Sequence, residues 1–136
     1  MQILTAATWI YGLLAADATL TALIGGAVAP RIYRGMAPEG CAFPCVVLFY
    51  MPGGSDLRGV GTINIMVNGN WVVKAIDRNL SAVNAGTIAD RIHTLIHGKS
   101  GGSVLMCVRD EPVSYTELVD GALYQHVGGV YRVIVQ

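Results

Sequence analysis

Cys41 and Cys45 stand four residues apart in the stretch EGCAFPCVV, residues 39–47, and they are the first candidates for a metal site or a redox pair. A structural zinc site needs four ligands, which usually arrive as two close pairs, and the third cysteine, Cys107, stands alone. Redox pairs use a Cys-x-x-Cys spacing at the start of a helix, whereas this pair enters an expected strand. We therefore interpret the cysteines as small apolar residues around Pro44, which begins that strand.

Asp90, His93 and His97 form a second candidate, because spacings of three and four place them on one stripe of a predicted helix. A zinc-protease helix requires a glutamate directly after its first histidine, and Thr94 stands there. Apolar residues occupy the opposite side of the same helix, so the stripe is interpreted as its solvated face. A small metal-dependent hydrolase that uses these three residues is kept as the alternative from a different class.

The remaining motifs predict no reaction centre. Gly98-Lys99-Ser100 resembles the end of a phosphate-binding P-loop, but His93 stands where that motif requires a glycine, and the segment leaves a helix instead of entering one. Asp110-Glu111 beside Pro112 predicts a solvated turn between two strands. No Gly-x-Ser-x-Gly nucleophile elbow is present. We expect no catalytic residue, no metal and no cofactor.

The composition points to an assembling protein without a nucleic-acid surface. The chain has 136 residues, of which 53% are hydrophobic and 13% charged, and its formal net charge is zero. A charge this low favours association between copies, and it lacks the basic excess of a protein that grips nucleic acid. The apolar N-terminal segment has no basic start and is interrupted by Asp17, so neither a secretory signal nor a membrane span is expected. The odd number of cysteines argues against a secreted disulfide framework. We expect one domain over residues 1–136.

The patterning predicts an α+β fold with a mostly antiparallel sheet and both helices packed on one face. Helical periodicity covers Thr5–Ile24 and Ser81–His97. Strands are predicted around Arg31–Tyr33, Pro44–Met51 and Val104–Arg109, and further strands flank three dipeptides that favour type I′ turns: Asn68-Gly69, Asp120-Gly121 and Gly128-Gly129. The glycine-rich stretch 52–61 is expected to be a long flexible loop of the kind used in binding.

Four segments follow one another along the chain: LLAADATLTALIGG (13–26), RIYRGMAPEGCAFPCVV (31–47), AGTIADRIHTLIHG (85–98) and YQHVGGVYRVIV (124–135). In this order they resemble the tail completion or tail terminator family of long-tailed bacteriophages. Each segment is weakly specific, and the combination covers nearly the whole chain. The positions that match the family's pattern are Leu14, Asp17, Leu20, Ile32, Tyr33, Pro38, Pro44, Ile88, Ile92, Tyr131 and Val133.

The resemblance implies a structural protein. It implies an α+β protomer of a ring, commonly a hexamer, which sits at the head-proximal end of the tail tube, stops tube polymerisation and offers a docking surface to the neck. Implied partners are other copies of the chain, the tail-tube protein and a neck or connector protein. DNA would only pass through the lumen, no membrane is involved, and no catalysis or cofactor is implied. The location would be the tail-neck junction of the virion, after assembly in the host bacterial cytoplasm.

The expected interface lies in three segments of this chain. They are the glycine-rich loop, a predicted hairpin tip and the loop after the second helix, and the candidate residues are Pro52, Gly53, Gly54, Ser55, Asp56, Leu57, Arg58, Asn68, Gly69, Lys99 and Ser100. A head-tail connector or neck protein of similar build is the alternative within the same structural class.

Overall fold

A six-stranded sheet with helices on one face organises the chain, and this computed structural model describes residues 2–61 and 63–136. The elements in chain order are α1 (Gln2–Ala15), α2 (Ala18–Leu23), β1 (Ile32–Arg34), β2 (Cys45–Arg58), β3 (Asn64–Arg78), α3 (Val83–Ile96), β4 (Lys99–Gly101), β5 (Val104–Val119) and β6 (Ala122–Val135). The strand order across the sheet is β1-β2-β3-β6-β5-β4. The α+β class and both helical regions are as predicted.

The sheet is mixed, so the prediction of a mostly antiparallel sheet is wrong in this respect. β1 pairs with β2 in parallel, through Ile32 opposite Val46, while the other pairings are antiparallel. A parallel neighbour needs a connection that returns the chain to the same end of the sheet, and residues 35–44 make that return. No two-residue turn marks such a connection in a sequence, which is why hairpin signals alone missed it.

The N-terminal helical region is divided at Asp17, where a single helix was predicted. Asp17 has extended backbone angles and is the N-cap of α2, and its Oδ2 accepts a hydrogen bond of 2.8 Å from the Leu20 N–H. Aspartate favours caps over helix interiors because its short carboxylate can satisfy a free backbone donor. α3 ends as expected before Gly98, which has a φ of +73°.

Only one of the three predicted type I′ turns forms. Asp120 and Gly121 have φ angles of +49° and +77° and join β5 to β6, which confirms that turn. Gly128 and Gly129 lie inside β6, so the turn predicted there is wrong. A Cβ on Gly128 would stand 2.2 Å from the Val73 carbonyl oxygen, so glycine serves here for close approach between β6 and β3.

The main core lies between the helices and one face of the sheet. It is built by fully buried apolar side chains from all three helices and from the central strands, among them Ile10, Leu14, Leu20, Leu48, Ile88, Ile92, Tyr131 and Val133. Cys107 belongs to this core, and Cys45 belongs to a smaller cluster on the other face of the sheet. Desolvation raises the pKa of both thiols to about 12, so they remain neutral. This agrees with the interpretation of Cys45 as an apolar residue, whereas Cys41 is only partly buried.

The predicted turn at Asp110-Glu111 is also wrong, because both residues lie within β5. The strand has a register irregularity between Arg109 and Glu111, and Asp110 Oδ1 accepts a hydrogen bond of 2.9 Å from Arg132. Within the described ranges, no helix is both long enough and apolar enough to cross a bilayer.

Candidate assembly interface

The glycine-rich stretch is a projecting hairpin and not the flexible loop that was predicted. β2 continues to Arg58 and pairs with β3 from Asn64 onward, while the pairing of β3 with β6 begins only at Val67. A register irregularity between Met51 and Ser55 accommodates the Pro-Gly-Gly sequence within the strand. We call residues 52–61 and 63–66 the β2–β3 arm. It contains seven of the predicted interface residues, Pro52 to Arg58.

The backbone at the base of the arm is packed too closely for larger residues. A Cβ on Gly54 would stand 2.2 Å from the Asn68 carbonyl oxygen. A Cβ on Gly69 would approach the Tyr50 ring to 3.0 Å, and that ring packs edge-on against Trp71 at 5.6 Å. Asn68 and Gly69 lie within β3, with strands paired on both sides, so the hairpin predicted at this dipeptide is wrong.

The arm exposes apolar side chains that a soluble monomer does not need. Four large hydrophobic residues near its tip are 45–99% exposed: Leu57, Val60, Ile63 and Ile65. Among them stands Arg58, whose guanidinium lies 3.9 Å from the Asp56 carboxylate, with 60% of its side chain exposed. A projecting apolar patch with a charged residue beside it is typical of a protein–protein contact surface.

Lys99 and Ser100 lie far from the arm in the sheet order. Both belong to β4, a mostly exposed three-residue strand. β4 forms one edge of the sheet, and β1 forms the other edge, next to β2. The structure thus separates the predicted interface residues into the arm group, the interior pair Asn68-Gly69 and the β4 pair. Gly69 is buried, so it supports the arm and has no free surface of its own.

The outer edge of β5 is a surface that the sequence did not reveal. β4 covers β5 only as far as Cys107, and the Arg109 N–H donates to His97 Nδ1 at 3.0 Å. Among residues 2–61 and 63–136, no further backbone hydrogen bond reaches that edge between Asp110 and Val119. Such an edge can pair with another chain. Pro112 lacks an N–H and limits pairing to the part that follows it.

The face of the sheet opposite the helices carries a cavity of about 500 Å³, which we call the far-face groove. The connection between β1 and β2 forms one wall, and the ends of β5 and β6 form the other, with these lining residues: Glu39, Cys41, Phe43, Glu117, Tyr124 and His126. The Phe43 and Tyr124 rings meet edge-on at 5.2 Å. The groove therefore combines an aromatic wall with two carboxylates and one guanidinium, that of Arg78 at the end of β3.

His126 is a buried polar group without a hydrogen-bond partner. It is 6% exposed, and neither of its ring nitrogens has a partner among the described residues. Its ring stacks on Tyr115 at 4.4 Å, and the nearest carboxylate oxygen, on Glu117, lies 3.8 Å from Nε2. Desolvation, followed by the charge of Lys74, lowers the pKa of His126, whereas Glu117 opposes the shift. The imidazole is therefore neutral near pH 7, with one donor and one acceptor unused.

His93 and His97, two members of the predicted metal stripe, are both engaged with their own protein. Their rings stack at 4.3 Å, His97 Nδ1 accepts the Arg109 N–H, and His93 Nδ1 lies 3.3 Å from the Tyr131 hydroxyl. In the part of the chain that the structure describes, no three histidine, cysteine or acidic side chains are grouped as metal ligands would be. The two histidines thus connect the end of α3 to β5 and β6.

Comparison with known proteins identifies the family. The family model described as Tail completion protein gp17 matches residues 8–136. The chain belongs to this tail completion family. This confirms the resemblance found in the sequence. A solved chain described as "Virion of native gene transfer agent (GTA) particle" has the same fold, with a TM-score of 0.65, 20% identity, and coverage of 93% of this chain and 90% of that one. The comparison with curated protein sequences gave no match.

As a tail completion protein, the chain belongs to a family whose description names an assembly role and no reaction. Several positions that carried the resemblance prove to be core residues, including Leu14, Leu20, Ile88, Ile92 and Tyr131. Asp17 instead caps α2. The groove residues Glu117 and His126 were missed because they come from β5 and β6 and meet the β1–β2 connection only after folding.

Proposed function

We propose that this protein caps the head-proximal end of a phage tail tube as a structural component of the virion. In this role it forms a ring, stops tube polymerisation and provides the docking surface for the neck. The observation that carries the proposal is the match of the tail completion family model over residues 8–136. The fold shared with a chain from a gene transfer agent virion supports it.

The surfaces of the protomer support assembly into a ring. The arm extends β2 and β3 at one end of the sheet, and the open edge of β5 lies on the other side of β6. Two different surfaces on one protomer allow a head-to-tail contact, which closes into a ring when the rotation per subunit divides a full turn. We expect six subunits per ring, the number implied by the family resemblance.

The capping mechanism is geometric. One face of the ring matches the last ring of tail-tube protein, and the opposite face lacks the surface that would recruit another tube subunit. The arm residues Pro52–Arg58 belong to β2, near one edge of the sheet, and Lys99 and Ser100 belong to β4 at the other edge. The two groups are therefore candidates for contacts with different partners. DNA would pass through a lumen without strong attraction, consistent with a net charge of zero. Assembly would take place in the host bacterial cytoplasm.

Sedimentation of the purified protein, alone and with its tail-tube protein, tests the ring. The expected result is a closed oligomer, near six copies, under at least one of the two conditions. A strict monomer under both would contradict the proposal. Tube length gives a second reading, because a cap added at the start of polymerisation should shorten the tubes, whereas a neck protein that binds elsewhere should leave their length unchanged.

A further inference from the structure

The far-face groove and the tip of the arm lie at opposite ends of the sheet. The groove is bordered by Arg78 at the end of β3, and the arm continues from the start of the same strand. β3 has 15 residues, which span roughly 45 Å at about 3.3 Å per residue. One protomer therefore cannot place its own arm in its own groove, and a contact between the two requires a second copy.

The groove is suited to a guanidinium group. Its lining has two carboxylates, Glu39 and Glu117, and one cation, Arg78, so one negative charge is left for a guest. The aromatic wall of Phe43 and Tyr124 supplies a surface on which a planar cation can stack. Glu117 Oε2 lies 3.8 Å from His126 Nε2, so this carboxylate stands beside the imidazole. Both ring nitrogens of His126 are buried, so a guest meets the carboxylates and the aromatic wall.

Arg58 is the cation that is placed to provide this group. Four of the nine Lys and Arg residues are held by hydrogen bonds inside the fold: Arg31, Lys74, Arg91 and Arg132. Arg34 lies over the Tyr11 ring, and Arg78 lines the groove itself. The Arg109 side chain lies against Gly129, and Lys99 has no guanidinium. Within residues 2–61 and 63–136, the only ion pair of Arg58 is the 3.9 Å pair with Asp56, and Arg58 stands beside the exposed apolar residues of the arm.

We infer that the arm of one copy docks in the far-face groove of the next, with Arg58 pairing with Glu117 and Glu39 beside His126. The apolar tip then covers the aromatic wall of the groove. This contact rests on the proposed ring, and it places the arm in the groove that adjoins the open edge of β5 at Glu117 and Val119. It is heterologous, because the arm and the groove are different surfaces, and so it can propagate around an axis.

Charge reversal tests the contact. Arg58→Glu leaves an acidic arm facing an acidic groove, and Glu117→Lys leaves a basic arm facing a basic groove, so each variant alone should lose assembly, with affinity between copies falling about tenfold or more. An equimolar mixture should recover the oligomer, because each arm then meets a groove of opposite charge in the alternate copy. Arg34→Glu and Asp90→Lys make the same charge changes at exposed positions outside every proposed interface, in β1 and on α3, and should assemble like wild type.

The results of these experiments distinguish a failure of the arm-to-groove contact from a failure of the proposed ring. If wild type forms the ring and both single variants do so equally well, or if the mixture fails to recover assembly, the arm-to-groove contact is wrong while the ring stands. If wild type never assembles, even with tail-tube protein, the ring and the contact both fail. Thermal unfolding of each variant shows that it is folded. The reactivity of Cys41, which lines the groove, gives a direct reading, since docking should protect its thiol in the assembled wild type and not in the dispersed variants.

Discussion

Asp17 and Arg91, which are 74 residues apart in the chain, form a bidentate ion pair. Arg91 Nε donates to Asp17 Oδ2 at 2.9 Å, and its Nη2 donates to Oδ1 at 2.7 Å. Asp17 also caps α2 through the Leu20 N–H, so one carboxylate fixes the break between α1 and α2 and fastens it to α3. The guanidinium holds the pKa of Asp17 below its usual value, mainly through these hydrogen bonds and against the effect of desolvation.

Replacement of Asp17 should separate its two roles. Asp17→Ala loses the cap and the ion pair, and the cap alone is worth roughly 1 kcal/mol of unfolding free energy. Asp17→Asn keeps a capping oxygen and loses only the charge, so it should be destabilised less. Urea unfolding at neutral pH measures both. Equal stabilities of the two variants would show that the cap contributes nothing here.

The contribution of the Asp17 carboxylate to the free energy of unfolding should depend on pH. Because the folded state lowers the pKa of Asp17, its contribution to stability is present above the usual carboxyl range and is lost as the pH falls through the folded pKa. The stability gap between wild type and Asp17→Asn should therefore close in strong acid. A gap that stays constant down to unfolding would contradict the account of this pair.

Two histidines should make the protein less stable below neutral pH. Desolvation lowers the pKa of His93 and of His126, so between their folded pKa values and the unfolded value of about 6.5 the unfolded chain binds more protons. Stability is then complete above about pH 6.5 and declines as the pH falls, by at most about 1.4 kcal/mol per pH unit for each histidine.

Urea unfolding at several values between pH 7.5 and pH 5 checks this slope. His126→Phe keeps an aromatic ring for stacking on Tyr115 and removes the titrating group, so its profile should be flatter than that of wild type. His93→Gln should flatten it similarly. A wild-type profile that is level over this range would show that neither imidazole is as desolvated as the structure has it.

Glycine is required at Gly128 for space and not for a turn. Gly128→Ala would place a Cβ 2.5 Å from Lys74 Cα, so β6 and β3 would have to separate, and we expect a loss of about 1–3 kcal/mol. Gly86→Ala is the matched control, because a Cβ on this α3 residue meets nothing within 4 Å. Its higher helix propensity should add about 0.8–1 kcal/mol. Thermal unfolding of both variants should give shifts of opposite sign.

The three cysteines should differ in reactivity. With pKa values raised to about 12, the Cys45 and Cys107 thiols carry almost no thiolate at pH 8, and both side chains are buried. Cys41 is only partly buried. A thiol-specific disulfide reagent on dilute native protein should show one fast thiol, with the other two reacting only after unfolding. Cys41→Ser should remove the fast phase, and three thiols of equal rate would contradict the burial.

The sequence was sufficient to predict both helical regions and the family. The 3.6-residue spacing of apolar positions located both helical regions, because each helix buries one face against the same sheet. It did not reveal the break at Asp17, since an aspartate on the polar side of a helix and an aspartate at a cap look alike in sequence. Only the hydrogen bonds to Leu20 and Arg91 distinguish them.

The strands were harder to predict because the same dipeptide can serve two purposes. Asp120-Gly121 makes a turn, whereas Gly128-Gly129 allows two strands to approach closely, and only the neighbouring strand decides between these. The arm was located correctly as a surface segment and wrongly described as a loop, since its glycines hide the strand pairing. The far-face groove had no local signal at all.

The central claim is that this protein ends a tail tube. Electron microscopy of tail-tube polymers incubated with the protein tests it most directly, with Arg58→Glu as the comparison variant. We predict a ring of this protein at one end of each tube only, no further growth from that end when tube protein is added, and fewer capped ends with the variant. Tubes that lack a terminal ring, or that keep growing past it, would contradict the claim.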